Sequence, residues 1–161
     1  MTTTVRGTIQ KGQGKAQDTL AEQLPLFADC FPEVNVCHPG TLNILLEKPV
    51  VVLVPDYTSP PIPWHPGFKL VKSGEVFQFV RIRLKIDDPG CPGAVPAWIY
   101  LAQFSPYRQN PFYAEVIAPK LAFTGTPACE LIIQSPCQEG LVVMAAGEPG
   151  PVGSSNRDIL R

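Results

Sequence analysis

From Thr4 to Gln10 the chain alternates: Val5, Gly7 and Ile9 share one face, while Thr4, Arg6, Thr8 and Gln10 share the other. A period of two predicts a strand with one covered side and one facing water. The same alternation returns at Val76–Ile86, where Phe77, Phe79, Arg81 and Arg83 oppose Gln78, Val80, Ile82 and Leu84. Asp87-Asp88-Pro89-Gly90 then makes a strong turn. Shorter apolar runs at Thr41–Leu46, Val50–Val54, Ala97–Ala102, Tyr113–Ala118, Glu130–Gln134 and Leu141–Ala145 are bounded by Pro, Gly or Asn and read as further strands. One segment has helical spacing, with Leu24, Phe27 and Phe31 on one side. Pro25 suits its first position, and Pro32 ends it early. The pattern predicts an all-β chain with one short helix and a strand count that suits a small closed barrel.

Proline decides how far these elements run. Nineteen prolines interrupt nearly every apolar run and exclude long helices. Asp56–Gly67, with Pro60, Pro61, Pro63 and Pro66, reads as an extended surface loop. From Gly147 the sequence Glu-Pro-Gly-Pro-Val-Gly-Ser-Ser-Asn has no apolar period. The expected organisation is therefore one β domain over residues 1–146 and a flexible tail over 147–161, in a chain of 161 residues without internal repeats.

Charge narrows the function classes. Thirteen basic residues face fourteen acidic ones with no basic cluster, which argues against a nucleic-acid partner. No run reaches the roughly 20 apolar residues that span a bilayer, and the amino terminus lacks a signal-type apolar stretch, so a cytoplasmic location is expected. Five cysteines form no Cys-x-x-Cys pair and have only His38 and His65 to join them. They read as reduced, mostly buried small hydrophobes, with no structural zinc site.

Two segments carry candidate chemistry. After the first strand comes Lys11-Gly12-Gln13-Gly14-Lys15, where closely spaced glycines let successive amides point into one concavity and hold phosphate; two glycines also serve simply as a turn. Neither a P-loop nor a dinucleotide fingerprint is satisfied: Gln13-Gly14 and Gln17 stand where those motifs need other residues. The second segment is Pro39-Gly40-Thr41-Leu42-Asn43. Residues two apart in a strand point the same way, so the Thr41 hydroxyl and the Asn43 amide oxygen offer a partial shell for Mg²⁺, or else a polar strand face beside a turn.

Gly7-Thr-Ile-Gln-Lys-Gly-Gln-Gly-Lys, the helix opened by Pro25 and Pro-Gly-Thr-Leu-Asn are followed by Gly93-Ala-Val-Pro-Ala-Trp-Ile, Ala114-Glu-Val-Ile-Ala-Pro-Lys and Glu130-Leu-Ile-Ile-Gln-Ser-Pro. This succession, from Val5 to Pro136, resembles the CTP-dependent riboflavin kinases typical of archaea. The resemblance implies a six-stranded cradle-loop barrel that transfers the terminal phosphate of CTP to riboflavin, giving FMN. It implies nucleotide binding by Gly12, Gln13, Gly14, Lys15, Ala16 and Gln17, Mg²⁺ binding by Thr41 and Asn43, and flavin contact by Thr124 and Glu130. Ala16 replaces the third glycine of the family's loop, and the helix and Asp-rich turn that follow in the family are missing after Pro136. Those departures favour the alternative, a flavin- or nucleotide-binding barrel without turnover. Glu130 also reads as an edge charge, and Trp64 and Trp98 as packing.

Overall fold

The computed structural model describes residues 2–11, 16–63, 74–134 and 141–143. Among the described residues nine strands are assigned: β1 (Thr2–Ile9), β2 (Leu42–Leu46), β3 (Val50–Val52), β4 (Tyr57–Thr58), β5 (Phe77–Ile86), β6 (Ala94–Ala102), β7 (Tyr113–Ile117), β8 (Ala128–Gln134) and β9 (Leu141–Val143). One α-helix, α1 (Ala16–Gln23), runs into a 3-10 turn at Leu24–Phe27, and a second 3-10 turn covers Pro32–Val36. Among the described residues no helix is long and apolar enough to cross a membrane.

All pairings are antiparallel, and six strands close on themselves in the order β5-β6-β7-β2-β1-β8, with β8 returning to β5. The expected mainly-β, barrel-like architecture with one short helix is therefore present. β4 adds to β5 outside the ring, and β3 with β9 forms a separate ribbon. Alternation fills the ring: Val5, Ile9, Ile44, Val80, Ile82, Leu84, Val116 and Leu131 turn inward and are almost wholly buried. Each such side chain contributes about 1.5–3 kcal/mol by leaving water.

The opposite faces of β5, β6 and β7 are also covered. Phe77, Phe79, Trp98, Tyr100 and Ile117 form a second cluster with Leu20, Leu24, Phe27, Phe31 and Val34 from the helical segment. Phe31 stacks on Phe79 at 4.4 Å and meets Trp98 edge-on at 5.3 Å. A polar clasp holds the margin, where Glu33 Oε1 accepts hydrogen bonds from the Tyr57 hydroxyl at 3.0 Å and Arg81 Nε at 2.8 Å. Burial alone would raise the Glu33 carboxyl, but the Arg81 and Tyr57 donors outweigh it and hold it below its ordinary value.

Several expectations shift by physical cause. The helix starts at Ala16 rather than near Pro25, and Pro25 sits inside a 3-10 turn, where its missing donor is tolerated. Pro32 opens a second 3-10 turn as well as ending the first helical segment. The proline-rich stretch from Asp56 contributes β4 and an Ile62–Glu75 bridge rather than loop alone, while the part from Trp64 onward lies outside the described residues. β6 begins at Ala94 and contains Pro96, which pairs with Arg83 before the β7 pairing starts at Trp98, so no ladder donor is missed there. The segment 147–161 lies outside the described residues.

Gly7 sits where β1 and β2 leave no room for a side chain. A Cβ there would lie 2.7 Å from Ile44 Cγ2 and 2.7 Å from the Leu45 carbonyl oxygen. Gly7→Ala should therefore cost about 1–3 kcal/mol and lower the melting temperature by roughly 2–4 °C for each kcal/mol. An unchanged melting curve would mean that β1 and β2 do not approach so closely.

Candidate functional site

The site begins with the way β2 leaves the turn at His38–Gly40. Leu42, Ile44 and Leu46 serve the barrel core, which puts Asn43, and by alternation Thr41, on the outer face. Thr41 and Asn43 are half-buried, and their Oγ1 and Oδ1 atoms are shielded from solvent with no hydrogen-bond partner among the described residues. An unmet buried polar atom costs about 1–3 kcal/mol, and native folds hold few of them. Two at alternate positions on one face leave a pair of oxygens able to accept a donor or a cation. The Asn43 main chain, by contrast, is satisfied, since its carbonyl accepts the Gln10 N–H at 2.7 Å.

β7 brings the next group. Asn43 pairs directly with Glu115, which places their Cβ atoms about 4.5–5.5 Å apart on the same face. Burial pushes the Glu115 carboxyl above its ordinary value of 4.5, partly opposed by the Ser105 hydroxyl, which donates to Oε2 at 2.7 Å. Continuing the β6–β7 register beyond Ile99–Val116 sets Tyr100 beside Glu115. Glu115, Tyr100, Ser105, Tyr107, Arg108 and Val50–Val52 line a cavity of about 370 Å³. Tyr107 and Tyr113 stack at 4.3 Å in its wall. That volume falls in the range of small-molecule sites.

One residue flanking the glycine loop, Gln10, reaches the same row. Gln10 leaves β1 hydrogen-bonded to Asn43, and the backbone of Ala16 and Gln17 opens α1. Gly12, Gln13, Gly14 and Lys15 lie outside the described residues. Ala16 is helical, and no described non-glycine residue has positive φ, so alanine at this position carries no backbone strain.

Thr124 and Glu130 occupy another part of the surface. Glu130 pairs with Arg6 on one side and Lys85 on the other, and all three line a cavity of about 500 Å³ with Asp87 and Asp88. The Thr124 N–H donates to Asp88 Oδ2 at 3.2 Å, which ties it to the same end of β5. Arg6 precedes Gln10 by four residues, a displacement of roughly 13 Å along the strand. The fold thus gathers Gln10, Thr41, Asn43 and Glu115, and sets Thr124 and Glu130 apart from them. Glu115 escaped the sequence reading although its strand was predicted, because only the pairing of β7 with β2 gives that carboxylate its neighbour.

The donor set fits Mg²⁺. Hard cations take neutral and anionic oxygens, and Mg²⁺ needs few protein ligands when phosphate completes its shell. Thr41 Oγ1 and Asn43 Oδ1 are such oxygens, lying unpaired next to a carboxylate. Among the described residues no group of three or more His, Cys, Asp or Glu side chains could hold a metal otherwise. A scan of protein-family models and a search of curated proteins find no match to this chain.

Two outcomes follow. Millimolar Mg²⁺ should raise the melting temperature of the wild type but not of Asn43→Ala, whose melting temperature without the ion should stay within a few degrees of wild type; equal shifts in both would remove Asn43 from the site. A carboxyl whose pKa is raised by folding gives its full stabilisation below the unfolded value, and loses it as pH rises through the folded value. Glu115→Gln should therefore gain stability relative to wild type as pH rises above 4.5, and parallel pH curves would contradict the buried placement.

Proposed function

We propose that this protein is a Mg²⁺-dependent kinase of the riboflavin type, which moves the terminal phosphate of CTP to the ribityl hydroxyl of riboflavin. The observation that carries the reading is the pair of buried, unpartnered oxygens on Thr41 and Asn43, with Glu115 directly opposite. The resemblance of the Pro39–Asn43 segment and the glycine loop to the riboflavin kinases points the same way.

Phosphoryl transfer asks a protein mainly to position reactants and neutralise charge. Thr41 and Asn43 would hold Mg²⁺, which when bound offsets the negative charge of the nucleotide phosphates. The segment Gly12–Gln17 would wrap those phosphates with its amides. The cavity beside Glu115 would receive the acceptor, with its attacking hydroxyl toward β2. Glu115 would take the hydroxyl proton, a role that its raised pKa suits better than that of an ordinary exposed carboxylate. Ser105 would orient the carboxylate through its 2.7 Å hydrogen bond.

Incubation of the full chain with riboflavin, Mg²⁺ and either CTP or ATP should yield FMN, with CTP preferred. Asn43→Ala should abolish turnover, and Glu115→Gln should lower kcat by about 10²–10⁴-fold with little change in the KM for riboflavin. Normal turnover in Asn43→Ala would leave Thr41 and Asn43 as mere strand polarity. Tight riboflavin binding without product under any nucleoside triphosphate would favour the binding module instead.

A further inference from the structure

β6 and β7 separate before they end. Among the described residues their ladder holds only Trp98–Ile117 and Ile99–Val116. β6 nonetheless stays paired with β5 as far as Phe77–Ala102, and β7 with β2 as far as Leu45–Tyr113. Each strand is thus held by its other neighbour while the wall of the ring opens between them into a seam. The 370 Å³ cavity lies there. Its lining includes Leu46, Ile99 and Ala114 of the ring's core together with Tyr113 and Glu115, which alternation puts on the outer face. A cavity lined from both faces of one sheet passes through that sheet.

The loop that joins the two strands shapes the seam before any ligand arrives. Ser105 Oγ donates to Glu115 Oε2 at 2.7 Å and accepts the Tyr107 N–H at 3.3 Å. The Asn110 N–H donates to the Tyr107 carbonyl at 3.0 Å, and the Tyr113 N–H to the Asn110 carbonyl at 3.1 Å. Tyr107 and Tyr113 stack with 18° between their planes, are half-buried, line the cavity and belong to neither hydrophobic cluster. Leu101 lines it too and packs against the ring's core. The seam is therefore apolar on its inner side and polar on its outer side, where Ser105 and Glu115 meet. A fused aromatic ring needs only about 3.5–4.0 Å between its neighbours, and tyrosine faces suit it. An extended peptide would need both ends open, and the loop closes one.

We propose that this seam is a slot for a planar, fused heteroaromatic ring, which enters between β6 and β7 against Leu101 and Tyr107. The slot rests on the kinase reading for its occupant, the acceptor, and assigns most of the affinity to the acceptor's ring rather than to its ribityl chain. The chain then leaves past Glu115 toward Asn43, its partner across the ladder.

Calorimetry on the full chain, without metal or nucleotide, compares riboflavin with lumichrome, which keeps the fused ring and lacks the ribityl chain. Lumichrome should bind within about tenfold of riboflavin. Leu101→Trp, which fills the slot, should weaken both by more than about tenfold. Tyr107→Ala should weaken both about three- to tenfold, and Tyr107→Phe should stay within about twofold of wild type. Unchanged lumichrome binding in Tyr107→Ala would overturn the slot, and that variant decides the matter should Leu101→Trp fail to fold. Riboflavin bound without lumichrome would overturn it as well. FMN formation by a wild type that binds no lumichrome would remove the slot alone, whereas lumichrome bound with no FMN formed would support the slot and remove the kinase reading. Absence of both would remove the two together.

Discussion

The structure depends on β5 meeting two demands along ten residues. Its second half, Arg83–Ile86, pairs with β8 and closes the ring, so that the sheet has no long open edge there to pair with another chain. Its first half carries Phe77 and Phe79, which face away from the ring and would be exposed without the helical segment. Closure and covering are therefore linked. A ring sealed by β5 leaves an aromatic outer face on β5 and β6, and α1 with the two 3-10 turns is recruited to hide it. The covered outer face in turn borders the half-buried margin on which Thr41, Asn43 and Glu115 sit.

That arrangement explains why the polar atoms are placed as they are. In a barrel exposed on its outside, a threonine hydroxyl and an asparagine oxygen would bind water at no cost. Here the neighbouring apolar layer limits solvent, raising the strength of any charge brought to them. The same withdrawal lifts the Glu115 carboxyl, while Glu33, which meets Arg81 and Tyr57, is lowered. Two carboxylates close to one apolar layer are thus driven in opposite directions by their immediate partners.

Much of the strand content was legible because alternation is a local property: Val5–Ile9 and Val80–Ile86 announce their inner faces without reference to any partner. Thr41 and Asn43 could be nominated for the same reason, since two residues of spacing is enough to put them on one side. Glu115 could not. Its sequence surroundings, Ala114-Glu-Val-Ile, are those of any strand with one polar position, and its meaning comes from the residue across the ladder. The covering helix was misplaced because Pro25 looks like a start signal, whereas the tertiary cluster extends the helical segment back to Ala16 and admits the proline within a 3-10 turn. The role of Phe77 and Phe79 was hidden for a related cause, as an alternating pattern does not say what covers its second face.

The pairing of Asn43 with Glu115 has a consequence for how such a chain could vary. A slip of one residue between β2 and β7 would send Asn43 into the hydrocarbon interior and Ile44 out to water, a penalty that the whole ring resists. The alignment of the two oxygen-bearing side chains is therefore guarded by residues that never touch a ligand, Ile44 and Ala114 among them. Inheritance of the interior carries the accuracy of the outer groups along with it, and drift in those buried aliphatics would be felt first as a loss of aim.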